Sequence, residues 1–177
     1  MSKKIIIIGA GAHAKVVLEA VKLQGLYTVQ GFCADKMSVG EDIFEDYKIL
    51  GDAMLSNFQI DSNTYFIVAI GDNKARKYFF ENASKKCTPA IIIHPKASIS
   101  LSSVIGEGSI ILSNACINSS VILGKNTIVN IGVLIDHDCK VGSHVHLSVG
   151  TVVGSNSNIK DNQTTKIGDV ISPDSKK

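Results

Sequence analysis

Long hydrophobic runs are missing from this sequence: the longest near the start, Ile5-Ile6-Ile7-Ile8, stops at Gly9. Four residues are far too few for a signal-peptide core or a membrane span, so a cytoplasmic location is expected, with no membrane partner. No CxxC pair occurs either. Cys33, Cys87, Cys116 and Cys139 are widely scattered, which favours reduced thiols over a disulfide framework and gives no zinc site, so no metal is expected. Charge is sparse and nearly balanced, with 18 Lys and Arg against 16 Asp and Glu. Aromatics are only 6% of the chain, and no basic stripe carries them interleaved, so nucleic-acid binding is not expected.

What is present is an ordinary globular composition, 45% hydrophobic over 177 residues, enough for one domain or two small ones with real cores. Residues 4–8 read as a buried parallel strand, a β-branched run closed by glycine. A helix should follow through about residue 24, with Val17, Val21 and Leu23 on its apolar face. Strands are expected at 28–32, 47–50 and 64–70, with helices from Asp52 and across 74–85. Short strands alternating with helices predict a small parallel α/β sheet.

The first strand leads into Gly9-Ala10-Gly11-Ala12-His13-Ala14-Lys15. Glycines permit a tight turn, and the free N–H groups of a helix start favour an anion above the sheet. The dinucleotide fingerprint is incomplete, because Ala14 stands at its third glycine position, and a tight turn without a ligand remains an alternative. A nicotinamide-dependent dehydrogenase would rest on that partial pattern alone. Asp35 stands where such sheets place a ribose- or base-binding acid, although a solvated turn aspartate reads the same way.

From residue 93 the sequence changes character. Ile93, Ile99, Ile105, Ile111, Ile117, Leu123, Val129, Ile135, Val141, Leu147, Val153 and Ile159 repeat at intervals of six. At this composition the run has a chance probability on the order of 1 in 10,000. Four residues after each of the first eleven stands a smaller side chain, from Ala97 and Ser103 to Thr151 and Ser157, and glycine recurs one place after the aliphatic at Gly106, Gly124, Gly142 and Gly154. Neither an α-helix nor a meander has this period. A solenoid of short parallel strands does, with one six-residue unit per side of a triangular coil and the aliphatics laddered inside.

The pattern aliphatic-Gly-x-x-small-x resembles the left-handed β-helix acyltransferases. Ile8-Gly9-Ala10-Gly11-Ala12-His13-Ala14-Lys15-Val16-Val17, Val68-Ala69-Ile70-Gly71-Asp72-Asn73 and Ile93-His94-Pro95 are similar to one bacterial family among them. It contains the sialic-acid O-acetyltransferases and the UDP-amino-sugar N-acetyltransferases of surface-glycan synthesis. The resemblance implies a Rossmann-like α/β domain over residues 1–90 that binds a sugar or nucleotide sugar. It further implies a left-handed parallel β-helix over 91–177, a homotrimer, and acetyl-CoA held between subunits.

Acetyl transfer needs a general base beside the acceptor, and histidine suits that role. The densest polar cluster of the helical half is Asn130-Ile131-Gly132-Val133-Leu134-Ile135-Asp136-His137-Asp138-Cys139. His137 lies two places after inward Ile135, so its imidazole should escape the core, with Asp138 beside it to orient and stabilise the charged form. A solvated corner with incidental histidines is the alternative. By the resemblance, His137 is the base and Asp138 its acid, while Asn130, His146 and Gly154 attend acetyl-CoA. Gly11, Ala12, His13, Asp35 and Gly71 would hold the sugar substrate. Ala34 replaces the first of two acids that the family often carries there, whereas His94 reads as structural. Nine residues separate His137 from His146, half a coil, so a site using both would form between subunits.

After Ile159 the repeat falters, because Gln163 and Thr165 occupy the small and aliphatic positions. The sequence predicts an irregular or truncated β-helix beyond about residue 160, through either a two-residue slip restarting at Ile167 or a frayed coil. It also lacks the Gly-x-Pro-Ala stretch that closes many family members. A sugar acetyltransferase is thus the expected function, with a silent nucleotide-sugar-binding or scaffold protein as the alternative if the shortened helix cannot hold the donor.

Overall fold

Ile5, Ile6, Ile7 and Ile8 are all fully buried, as a strand covered on both faces requires. They belong to β1 (Lys3–Ile8), the central strand of a five-stranded sheet in the computed structural model, which describes residues 3–44, 46–56, 60–61 and 63–173. The chain divides into two compact units, Met1–Ile92 and Ile93–Lys177.

In the first unit, β1 is followed by α1 (Ala12–Gln24), β2 (Tyr27–Cys33), β3 (Ile49–Gly51), β4 (Thr64–Val68), α2 (Asn73–Ala83) and β5 (Thr88–Pro89). The sheet order is β3-β2-β1-β4-β5, and every pairing is parallel. The chain therefore winds outward from β1 in one direction and then returns to its other side, which puts a topological switch point between β1 and β4. Helix α1 buries Val17, Leu18 and Val21, but Leu23 is 51% exposed and is not part of its core face. The helix expected from Asp52 does not form over the described residues to Ser56. The Asp52 carboxylate accepts the N–H groups of Met54 and Ser56 as a helix cap would, but Leu55 then adopts φ +55°, which no right-handed helix accommodates. Residues 57–59 lie outside the described residues.

The second unit is a three-sided left-handed β-helix. Two-residue parallel strands stack with an 18-residue offset, as when Cys116–Ile117 pairs with both Ser98–Ile99 and Leu134–Ile135. The first face runs from Ile92–Ile93 to His146–Leu147, the second from Ser98–Ile99 to Val170–Ile171, and the third from Val104–Ile105 to Asn158–Ile159. All twelve aliphatics of the six-residue period enter one apolar cluster. Each fully buried rung contributes about 1.5–3 kcal/mol.

The corners obey a rule of their own. From Ile105 onward, three residues after each inward position, the backbone turns into the left-handed region at Gly108, Asn114, Ser120, Asn126, Gly132, Asp138, His144, Gly150, Asn156, Asn162 and Gly168. Glycine, asparagine and aspartate tolerate that conformation best, and they fill nine of these eleven positions. One further glycine works differently. A Cβ on Gly124 would lie 2.5 Å from the Gly142 carbonyl carbon, so only a hydrogen lets these coils stack.

Neither expected form of the tail, slip or fraying, occurs through Ile171. Val170–Ile171 pairs with Val152–Val153 in the same 18-residue register. Thr165 takes the ladder position after Leu147: its Oγ1 accepts the Ser148 N–H at 2.8 Å and bonds Thr151 Oγ1 at 2.7 Å. A buried polar knot thus replaces an aliphatic rung, and Ile167 is left 80% exposed on a corner.

Candidate active site

The amino-terminal unit carries a cavity of about 520 Å3 at the carboxyl ends of β1, β2 and β4. Gly11, Ala12, His13, Asp35 and Gly71, separated in sequence by up to sixty residues, all line it. This is the crevice beside the switch point, where open α/β sheets bind their ligands. Gly9 makes the turn possible. It adopts φ +108°, and a Cβ there would press within 2.9 Å of Ile70, so the chain can cross β4 closely before α1 begins. Asp35 is exposed, and its Oδ1 accepts the Ala53 N–H at 3.2 Å. The apolar side of the cavity comes from Met37, Ala53, Ile70 and Phe79. Burial, with Asp52 and Cys87 adding, pushes the neighbouring Cys33 thiol up to about 12, so it is no nucleophile at neutral pH.

The β-helix unit gathers its polar residues at two different corners. Between the second and third faces, His137 Nδ1 lies 2.7 Å from Asp138 Oδ2, with the two side chains 47% and 54% exposed. Asp136 Oδ1 accepts the His137 backbone N–H at 2.8 Å and a hydrogen bond from Asn118 Nδ2 at 3.1 Å. Those bonds, the His137 N–H first, hold the Asp136 carboxyl below its ordinary range. The hydrogen bond to Asp138, then the charge of Asp136, raise the His137 imidazole above its ordinary value, which makes it a stronger base. Gly154 stands one coil beyond Asp136 and lines, with Asn118 and Asp136, a groove of about 330 Å3. Beneath the corner the Cys139 thiol donates to the Gly154 carbonyl at 3.1 Å.

The other corner, between the first and second faces, begins at Asn130. Its Nδ2 donates to His146 Nε2 at 3.3 Å, so that nitrogen is an acceptor and the imidazole carries its proton on Nδ1. Asn130 Oδ1 in turn accepts the Ile131 N–H at 2.8 Å. His137, Asp138 and Gly154 therefore share one edge of the prism, while Asn130 opens another and touches His146, which lies in a strand of the first face.

These geometries can be set beside known proteins. Residues 4–83 match the PglD N-terminal domain. UDP-N-acetylbacillosamine N-acetyltransferase of Bacillus subtilis is 30% identical over 112 residues, or 63% of this chain, and the match spans about half (52%) of that relative's length. The acetyltransferase domain of PglB from Neisseria gonorrhoeae, solved with acetyl coenzyme A, superposes over 98% of this chain and 86% of its own, at TM-score 0.74 and 29% identity. A mutant of perosamine N-acetyltransferase from Caulobacter crescentus, solved with CoA and GDP-perosamine, does so over 97% and 91%, at TM-score 0.77 and 27% identity. Over its amino-terminal domain and its β-helix alike, the chain is similar to PglD-like sugar acetyltransferases.

In this PglD-like chain, sequence reasoning passed over two groups of residues. Asn118 and Asp136 sit at successive coils of the corner that carries His137, and an 18-residue comparison of corner positions would have paired them. Arg76 left no such signal. It is fully buried at the start of α2, where its guanidinium donates to the carbonyls of Ile70 and Gly71 at 3.2 and 3.0 Å and to Asn73 Oδ1 at 2.6 Å. Among the described residues, no group of three or more His, Cys, Asp or Glu could hold a metal ion, and no helix is long and apolar enough to cross a membrane.

Proposed function

We propose that this chain transfers the acetyl group of acetyl-CoA to the amine of a nucleotide-linked amino sugar, with His137 as general base. The observation that carries the reading is the His137–Asp138 pair, a half-exposed imidazole held at Nδ1, which leaves Nε2 as the nitrogen that can take a proton. The proton leaves the acceptor amine as its nitrogen attacks the thioester carbonyl. Collapse of the tetrahedral intermediate breaks the C–S bond, and the imidazolium returns the proton to the departing thiolate. Asp138 holds the ring in one tautomer and stabilises its charged form, as a triad carboxylate does.

The cavity at Gly11, Ala12, His13, Asp35 and Gly71 is assigned to the nucleotide sugar, and Asn130, His146 and Gly154 to acetyl-CoA. Because His137 lies on one edge of the prism and His146 on its first face, the complete donor cleft is assigned to the seam between copies, in a homotrimer. The PglB domain and the perosamine enzyme, bound to acetyl-CoA and to CoA with GDP-perosamine, support an amine acceptor over a sialic-acid hydroxyl. The seat of this chemistry is taken to be the cytoplasm.

The test is thiol release from acetyl-CoA with UDP- and GDP-linked amino sugars and with sialic acid. Release that depends on an amino-sugar nucleotide is expected. Release with sialic acid alone would move the acceptor from nitrogen to oxygen, and no release with any acceptor while nucleotide sugar still binds would leave a binding protein.

A further inference from the structure

An imidazole on an open corner is not placed by packing, so its position depends on the polar bonds around it. His137 is such a case, half exposed and held at Nδ1 by Asp138. Its main chain is pinned at three points. The Asp138 N–H donates to the Ser119 carbonyl at 3.0 Å, and the His137 carbonyl accepts the Asn156 N–H at 3.0 Å, both bonds between stacked coils. The His137 N–H is held differently, by the Asp136 carboxylate through Oδ1 at 2.8 Å. A surface carboxylate turns easily about its last torsion, whose wells are broad. This one is steadied from the coil below, where Asn118 Nδ2 donates to the same Oδ1 at 3.1 Å.

Asn118 is fitted for that task by its own turn. Its Oδ1 accepts the Ser119 N–H at 2.8 Å, the same bond from side chain to next residue that Asp136 makes one coil later. Its backbone N–H donates to the Ile135 carbonyl at 2.9 Å, which fixes the two turns one above the other. With the amide oxygen spent on its own coil, the donor side of the planar amide is left to meet Asp136. We infer that Asn118 is a positioning residue for the transfer step: through the Asp136 carboxylate it fixes the His137 main chain, and with it the imidazole that takes the acceptor's proton. The inference rests on the assignment of His137 as base in the proposed function. A displacement of about 1 Å at a catalytic group can cost about 100-fold in rate, so a weakened support of this kind reads out in kcat.

Asn118 is exposed, so its variants should fold, and thermal melting checks that they do. Turnover of the full chain is measured by thiol release from acetyl-CoA with UDP- and GDP-linked amino sugars. Asn118→Ala removes the donor, whereas Asn118→Asp keeps the turn at Ser119 but sets a second carboxylate against the Asp136 oxygen. We expect kcat to fall about fivefold in the first and about tenfold or more in the second, with the acetyl-CoA KM unchanged. Asp136→Ala tests the route. In its background Asn118→Ala should cost less than about twofold further, because the two residues act in series. Wild-type kcat in a folded Asn118→Asp overturns the inference. So does an undiminished loss from Asn118→Ala on top of Asp136→Ala, since Asn118 would then act by another path. A raised acetyl-CoA KM with kcat unchanged overturns it too, because Asn118 would then hold the donor in the groove it lines with Gly154. Should Asn118→Asp fail to fold, wild-type kcat in Asn118→Ala overturns it equally. Wild-type turnover in His137→Ala removes the base itself, and the inference with it.

Discussion

One added methyl group at Gly124 tests the close stacking of successive coils of the β-helix. The alanine Cβ would stand 2.5 Å from the Gly142 carbonyl carbon, 2.6 Å from the Ser143 nitrogen and 2.7 Å from the Gly142 oxygen. Comfortable carbon contacts lie near 3.5–4.0 Å, so the overlap is about 1 Å against backbone that has no rotamer to escape into. Relief requires the coils to part, which stretches the Gly124 N–H to Val141 carbonyl bond, now 2.8 Å. Overpacking costs about 1–3 kcal/mol and a weakened buried hydrogen bond about 1 more, so a loss of roughly 2–4 kcal/mol is expected. For a unit of this size each kcal/mol moves the melting point by about 4–8 °C, which predicts a fall of about 8 °C or more. Gly132→Ala is the control. Its φ of +67° strains an alanine by about 1–2 kcal/mol, but nothing lies within 4 Å of the new Cβ. Circular dichroism melts of the two variants give the answer. A Gly124→Ala protein that melts within a few degrees of wild type, or above Gly132→Ala, would refute the close-stacking argument.

Two further substitutions probe the site and the end of the ladder. Asp138→Asn removes the largest cause of the raised His137 pKa. A base must be deprotonated to act, so the acid limb of kcat/KM should lie above pH 6.5 in wild type and move to lower pH in the variant; a limb that stays or moves upward contradicts the pairing. Thr165→Val restores an aliphatic to the ladder yet should destabilise the protein by about 1–3 kcal/mol, because the Ser148 N–H loses its acceptor. Urea midpoints measure this, and a gain in stability would show that the polar knot is not needed.

The ladder was legible because its period of six matches no helix or ordinary strand, and each register position repeats one chemistry. The αL corners were equally present, with Gly, Asn and Asp three places after the aliphatics, but attention to the glycine one place after hid them. That same oversight made Thr165 read as a fault: the unbroken αL series through Asn162 and Gly168 preserves the register that the missing aliphatic obscures. The cavity residues were found by motif, since the turn at Gly9 and the acid after β2 have fixed places in such sheets. Arg76 could not be found that way. A charged residue in a polar helix reads as solvated, and only its tertiary surroundings reveal the carbonyls it holds. The helix that fails after Asp52 was a local signal overruled at one residue, Leu55.

The most direct measurement is the turnover of His137→Ala with saturating acetyl-CoA and a nucleotide-linked amino sugar. The imidazole is exposed and supports no buried contact, so the variant should melt as wild type does and bind both substrates normally. The account predicts that kcat falls by about 100-fold or more. A folded variant that retains kcat within about threefold of wild type would contradict general-base catalysis at this corner.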